Sequence, residues 1–415
     1  MAVTDTLVGI DLGTTKIGVI IAEVDANGEV QVVGVGKTPS NGMRRGVVVN
    51  IDKTTEAIAT AIDQAEQMAG VKVRDVYVGI AGDHIRSINS RGVIAVARGH
   101  RVGRSNVITP QDVDRVLEAA RAVALPMDRE VLHVLPQEFS VDDEAGIHEP
   151  VGMTGLRLEA DVHIITGAIA SAQNIYRCVS RAGVGLRELV LESLASSHAV
   201  LNEEEKDLGV ALIDLGGGTT DIAVFYNGSI RHTAVIGLGG SNVTRDVALV
   251  LGIPMDTAEK IKVERGGCLL PVAPVEPIEV ETAGDNRKRQ VDPGELNAII
   301  RARMEEIFEM VHRELRRVDC LGMLSSGIVL TGGAAQLRGA TVLAEEVFRK
   351  PARLGVPRGL NGLAETVHNP AFATGVGLIL YGLKQGGDSV ISGDDSDVFS
   401  SILKNFRGWF QGLLE

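Results

Sequence analysis

The sequence predicts a duplicated α/β fold: two matched halves, a subdomain inserted in the first, and an amphipathic helix at the C-terminus. Three observations predict it. A strand ending in Asp, a tight Gly/Thr turn, a returning strand and an Asn-Gly hairpin occur once from Gly9 and again from Ala211. Stretches of helical and strand periodicity alternate along the chain, as α/β layers require. The last residues carry apolar side chains at helical spacing behind a polar, acidic stretch.

The first copy reads Ile10-Asp11-Leu12-Gly13-Thr14-Thr15-Lys16-Ile17, then an apolar run to Val24, then Asn27-Gly28 and a β-rich run over 30–35. The second reads Ile213-Asp214-Leu215-Gly216-Gly217-Gly218-Thr219-Thr220-Asp221-Ile222, then 223–226, Asn227-Gly228 and another β-rich run. Each hairpin is expected to be a two-residue turn, because Asn and Gly tolerate the positive φ angles it needs. Helices are expected over 54–69, 112–124 and 295–318, and strands over 76–80, 162–166 and 328–330.

At 415 residues, 45% hydrophobic and 23% charged, the chain can bury more than one core. A net charge of -13 offers no cationic surface for a polyanion, which argues against nucleic acid as a partner. The basic run Arg287, Lys288, Arg289 then reads as a solvated loop. Cys178, Cys268 and Cys320 stand far apart, with neither zinc nor disulfide spacing, which fits a reducing compartment. No basic-then-apolar leader opens the chain, and no run approaches the roughly 20 apolar residues of a spanning helix.

Two facing Gly/Thr turns would present backbone N–H groups and hydroxyls to an anion from both sides, which suits a polyphosphate. Asp11 and Asp214 would both point at it, tolerable only with a divalent cation between them. That cation is expected to be Mg2+, held largely through water. Lys16 supplies a point charge for a phosphate oxygen, and Asp221 is placed to hold the metal's water shell or an attacking water. Gly332-Gly333-Ala334-Ala335-Gln336 follows a strand and could lie flat against a base. Glu259 and Lys262 share one helical face, which without context reads as a solvated surface.

The order of these motifs, with Leu191-Glu192-Ser193-Leu194-Ala195-Ser196 between the turns and Asn369-Pro370-Ala371-Phe372-Ala373-Thr374-Gly375 closing the set, resembles the actin, heat-shock chaperone and sugar-kinase superfamily. The resemblance implies ATP as the nucleotide. It implies that Glu192 joins Asp11, Asp214 and Asp221 around metal and water, with slow hydrolysis at most. It also implies a nucleotide shell of Gly13, Thr14, Thr15, Lys16, Gly216, Gly217, Gly218, Thr219, Thr220, Gly239, Gly240, Glu259, Lys262, Gly332, Gly333, Ala334 and Gln336.

An actin-type early insertion has no room before the helix expected from Thr54. Instead 84–161 intervenes later, containing Thr109-Pro110-Gln111-Asp112 and Pro150-Val151-Gly152-Met153-Thr154-Gly155, and it is similar to the inserted subdomain of the FtsA cell-division family. His84, His133, His148 and His163 lie in or beside it with no metal spacing and are expected to pack. The resulting division is 1–83 for the first actin-like subdomain, completed by 162–194 and 357–384. The insert is 84–161, the second actin-like subdomain 195–236 with 316–356, and its outer subdomain 237–315. A linker over 385–397 and an amphipathic helix over 398–415 complete the chain.

In that helix Phe399, Ile402, Leu403, Phe406, Trp409, Phe410, Leu413 and Leu414 share one face, while Lys404 and Arg407 lie on the other, as an interfacial membrane helix requires. The family resemblance implies filaments of the chain with itself, on anionic lipids at the cytoplasmic face of the inner membrane at midcell. It implies anchoring of the FtsZ ring through the FtsZ C-terminal tail, with Arg303, Arg289 and Lys288 as contacts. Later division membrane proteins are expected at the insert. A small-molecule kinase of the same fold and a pilus-assembly actin homologue are the alternatives. The first would yield a phosphorylated product, and the second would sit away from midcell.

Overall fold

The computed structural model describes residues 3–96, 106–270, 276–283 and 288–390. The first half opens with β1 (Val3–Leu12), β2 (Lys16–Asp25) and β3 (Val30–Pro39), then a small hairpin of β4 (Met43–Arg44) and β5 (Val47–Val48), α1 (Ile51–Ala69) and β6 (Asp75–Ile80). The insert comprises β7 (Arg86–Ala95), α2 (Pro110–Arg121), β8 (Arg129–Val141), β9 (Glu144–Ile147) and β10 (Arg157–Ala168). α3 (Ile169–Arg181), β11 (Gly185–Leu191), α4 (Glu192–Val200) and α5 (Glu203–Leu208) lead to the second half.

That half begins with β12 (Val210–Leu215), β13 (Thr220–Tyr226) and β14 (Ser229–Ile236). Its outer part holds α6 (Gly240–Leu251), α7 (Met255–Arg265), the hairpin β15 (Ile278–Glu281) and β16 (Lys288–Val291), and α8 (Pro293–Arg317). β17 (Ile328–Thr331), α9 (Ala340–Phe348), β18 (Ala352–Leu354), β19 (Asn361–Gly362), α10 (Ala364–Val367) and α11 (Ala373–Val390) follow.

The duplication is visible in the sheets. The first half orders its strands β11-β6-β1-β2-β3, with β19 added at the edge, and the second orders them β18-β17-β12-β13-β14. In both, the Asp-ending strand pairs antiparallel with its successor and parallel with the strand on its other side. A third sheet, β7-β10-β8-β9, belongs to the insert and has its own core around Val116, Leu158 and Val162 beneath α2.

Helix starts follow local chemistry. Asn50 caps α1 by accepting from Lys53 N, so the helix begins three residues before the expected Thr54. Thr109 and Asp112 form a reciprocal capping box on α2, with Pro110 in the first turn. On α8 the buried residues Leu296, Ile300, Met304, Ile307, Val311 and Leu315 repeat at helical spacing and face the second core.

The two Asn-Gly hairpins differ. Asn227 and Gly228 both have positive φ, as a two-residue turn demands. At the first, only Gly28 does. The Asp25 carboxylate accepts from the backbone N of Asn27 and Glu29, which stabilises a three-residue loop closed by Asp25 N donating to Glu29 O. Lys288 and Arg289 lie in a strand rather than a loop, paired with Glu279 and with Glu295 and the Leu251 carbonyl. α11 runs to Val390, past the linker boundary at residue 385, because extending a packed helix adds a hydrogen bond per residue. The remaining linker and the 398–415 helix lie outside the described residues. No helix among the described residues is long and apolar enough to cross a membrane.

Candidate functional site

β1 and β12 each end at the cleft between the halves, so Asp11 and Asp214 occupy matching positions at its floor. The turns that follow them touch. A Cβ placed on Gly217 would lie 2.5 Å from Thr15 Cγ2, and one on Gly218 would lie 2.4 Å from Thr14 Oγ1. A cavity of about 80 Å³ between them is lined by Asp11, Gly13, Thr14, Thr15 and Lys16 from one side and by Asp214, Gly216, Gly217, Gly218 and Thr219 from the other. Glu192, Gly332, Gly333, Pro370, Ala371 and Thr374, with Leu12 and Gly46, complete its wall.

Three carboxyls, Asp11, Asp214 and Glu192, line this cavity, and a fourth, Asp221, lies outside the lining, opposite Asp214 in the β12–β13 ladder. Burial raises Asp11 above the usual carboxylate range, with Lys16 opposing it. Asp214 is pushed to about 6 by burial, opposed by its hydrogen bond from Ser196. Asp221 rises to about 8 from burial and then the nearby Asp214. Glu192 rises well above its usual value through burial and the charges of Asp11, Asp221 and Asp214. One Asp221 oxygen, Oδ1, is buried without a hydrogen-bond partner.

Such a set is costly as it stands, and a hard cation would relieve it. Among the described residues no three acidic, His or Cys side chains converge tightly enough to hold a metal directly. Asp11 and Asp214 offer hard carboxylate oxygens at the cleft floor, a donor set that fits a hard divalent cation. Lys16 Nζ, 3.9 Å from Asp11 Oδ2, bonds the Ala371 carbonyl and sits 4.2 Å over the Phe372 ring. Burial lowers its pKa, although Asp11 opposes the shift.

Thr220, Gly239, Gly240, Glu259, Lys262, Ala334 and Gln336 do not line this cavity. Most of them form an adjoining shelf. Gly240 N donates to Gly216 O and Ser241 N to Gly217 O, so α6 starts directly behind the second turn. Lys262 is 7% exposed and donates to Thr244 Oγ1 at 2.9 Å and Glu259 Oε2 at 2.7 Å. The face is thus not simply solvated, since α7 packs it against α6 beside Gly240. Gln336 Oε1 accepts from Asn369 Nδ2 at 2.8 Å, joining the glycine turn to the closing segment.

Ser196 and Thr374, which the sequence does not single out within the 191–196 and 369–375 segments, also belong to the site. Their hydroxyls converge on Asp214 Oδ2 at 2.6 and 3.4 Å. A buried hydroxyl beside a strand-end Asp was the available signal. His133 accepts from Leu191 N and His163 bonds Asn89 and Thr233, both in packing roles. Arg303 is engaged by Asp246 and Glu306.

Duplicated sheets with acid-ended turns meeting across a cleft define an actin-like protein. The PilM-PilN type IV pilus biogenesis complex has a similar fold, with a TM-score of 0.64 over 91% of this chain and 98% of that one at 15% identity. MreB5 of Spiroplasma citri bound to ADP is similar with a TM-score of 0.58 over 94% and 99% at 13% identity. At those identities the likeness is one of fold.

In sequence, the cell division protein FtsA of Pseudomonas aeruginosa is 45% identical over 98% of this chain and 97% of its own. The family model for cell division protein FtsA matches residues 211–377, and that for the SHS2 domain inserted in FtsA matches 82–166. The chain belongs to the FtsA family of cell-division proteins.

Proposed function

We propose that the chain binds Mg-ATP between its halves, polymerises as actin-like filaments on the cytoplasmic face of the bacterial inner membrane at midcell, anchors the FtsZ ring and helps recruit later division membrane proteins. The observation that carries the nucleotide reading is the meeting of the Asp11 and Asp214 turns around a cleft of N–H groups, hydroxyls and Lys16. Asp11 and Asp214 would hold Mg2+, which when bound would supply positive charge against both the polyphosphate and the acidic floor. The shelf of Gly240, Glu259, Lys262 and Ala334, with Gln336 beside Asn369, would receive the adenosine. Glu192 and Asp221 would orient an attacking water, and turnover would be slow because a scaffold needs binding more than release.

The 237–315 subdomain would take the acidic FtsZ tail, with Arg303, Arg289 and Lys288 as candidate contacts. Membrane attachment rests on the aromatic face of 398–415 with Lys404 and Arg407 opposite. The course of α11 supports that arrangement: Thr374 stands at the cleft, while Tyr381, about 10 Å further along the helix, bonds Glu188 on β11. Over these residues α11 therefore runs away from the nucleotide cleft. Filament formation would add avidity to one reversible helix.

Sedimentation with anionic liposomes tests the reading, using the intact chain and a version ending at Lys384, each with and without Mg-ATP. Only the intact chain is expected to pellet, more so with Mg-ATP. If both versions stayed in solution, membrane attachment through the tail would be wrong.

A further inference from the structure

Covalently, the inserted subdomain is an outgrowth of the first half: the chain departs after Gly82 and returns through Gly167 into α3. Its hydrogen bonds reach both halves: the first through Leu191 N donating to His133 Nε2 at 3.1 Å and Ile169 N donating to the Asp128 carbonyl at 3.0 Å, and the second through a longer seam. Ser87 Oγ donates to the Thr233 carbonyl at 2.8 Å, and His163 Nε2 lies 3.0 Å from Thr233 Oγ1. Gln137 Nε2 donates to the Ile230 carbonyl at 2.7 Å, and Ser229 Oγ donates to the Gln137 carbonyl at 2.8 Å. His163 is oriented through Nδ1, 2.6 Å from Asn89 Oδ1, and an ion pair of Glu138 with Arg231 at 3.7 Å flanks the seam.

Every second-half residue in this seam belongs to β14. That strand is laddered to β13, with Thr233 opposite Ala223 and Val235 opposite Asp221. The seam and the acidic phosphate-facing turn therefore ride on one pair of strands. We infer that the inserted subdomain is a strap across the outside of the cleft, whose orientation is reset through the Thr233–His163 seam when a polyphosphate is seated between the Asp11 and Asp214 turns. The inference rests on the nucleotide reading above.

A rotation of one half against the other has two outcomes. It parts the seam, stranding His163, Thr233 and Gln137 with buried polar groups unpaired. Otherwise it swings the insert about its two roots. At one root Gly82 has φ +126, a backbone conformation that side-chain-bearing residues rarely adopt, and at the other Gly167 is the penultimate residue of β10, still laddered to Glu130. Turning about these roots keeps the hydrogen bonds of the seam and gives up the smaller first-half set, Leu191 N to His133 Nε2 and Ile169 N to the Asp128 carbonyl, so the insert follows the second half. By linkage, a partner that prefers one orientation of the insert changes nucleotide affinity by the factor with which nucleotide changes its own.

The test measures amide hydrogen exchange in β8 and β10 of the full chain with and without saturating Mg-ATP, alongside a direct titration of ATP binding. Thr233→Val removes the hydroxyl at nearly constant volume, and Thr233→Ser restores it. The parent and Thr233→Ser are expected to show severalfold ATP-dependent changes in these strands. Thr233→Val should bind ATP yet lose most of that change, while melting as a single cooperative unit. ATP binding without any exchange response in the parent would overturn the strap, as would a full response in Thr233→Val. Failure of the parent to bind ATP in the titration would remove the nucleotide reading and the strap with it, and the titration separates that result from failure of the seam.

Discussion

Ser196 Oγ on α4 donates a 2.6 Å hydrogen bond to Oδ2 of Asp214 on β12, so a hydroxyl from the segment between the two turns fixes the carboxylate of the second. Burial pushes Asp214 up to about 6, and this bond is the largest influence opposing it. Ser196→Ala should raise Asp214 further and weaken Mg-ATP binding about tenfold at pH 7, as loss of a hydrogen bond to a charged group implies. The deficit should shrink at pH 8.5, where Asp214 ionises in both proteins. Titration of ATP at the two pH values measures it, and an undiminished loss at pH 8.5 would show that Ser196 acts by packing instead.

Asp221 carries the opposite lesson about stability. Its carboxyl holds a proton to about pH 8 in the fold, against an ordinary value of 3.8, chiefly through burial. Folding therefore takes up a proton between those values, and stability falls as pH rises across that window. Asp214 and Glu192 add to the trend with the same sign. Asp221→Asn should raise the melting temperature by about 3 °C at pH 8.5 without nucleotide and change it little at pH 5. The Mg-ATP-induced rise in melting temperature should diminish in the same variant.

Glycine is required where the two turns meet. The Cβ of Gly217→Ala would stand 2.5 Å from Thr15 Cγ2 and 2.9 Å from Thr15 Oγ1, so the hairpins must part. Nucleotide affinity should fall at least tenfold, while melting temperature changes by only a few degrees because the strain is relieved by opening the cleft. Thr15→Ser combined with Gly217→Ala removes the nearest methyl and should recover part of the affinity. No recovery would mean that the alanine acts on the backbone of its own turn.

The repeat was legible because each copy is local: Asp, Gly and Thr within a few residues of one strand end specify a turn whatever the rest of the chain does. α8 was legible for the same reason, from its apolar spacing. The loop at Asp25 was not, because Asn27-Gly28 looks like its partner until the upstream carboxylate is seen to reorganise it. Lys262 looked solvated because burial of one lysine depends on α6 packing beside it, and nothing in α7 records that. The contact of His163 with Thr233 joins residues 70 apart on strands of different sheets, so neither sequence neighbourhood predicts it. The roles of Ser196 and Thr374 were hidden for a related reason: serines and threonines are common, and only convergence on Asp214 distinguishes these two.

Arg303 is the sharpest test of the FtsZ-tail reading, because its guanidinium is already held by Asp246 and Glu306 at a side-chain exposure of 25%. An acidic peptide would have to share that group or displace one of its carboxylates. Arg303→Glu would place a third carboxylate beside Asp246 and Glu306, repelling an acidic tail over the whole cluster. Fluorescence anisotropy with a labelled FtsZ-tail peptide should show at least tenfold weaker binding, with the difference narrowing at high salt. Arg303→Gln, which removes the charge without reversing it, should lose less. Asp246→Asn provides the counter-case: freeing Arg303 from one competitor should tighten binding if the guanidinium meets the tail. If Arg303→Glu binds the peptide as the parent does, Arg303 is not part of the docking surface, and Lys288 and Arg289 on the β15–β16 hairpin become the basic contacts to reverse next.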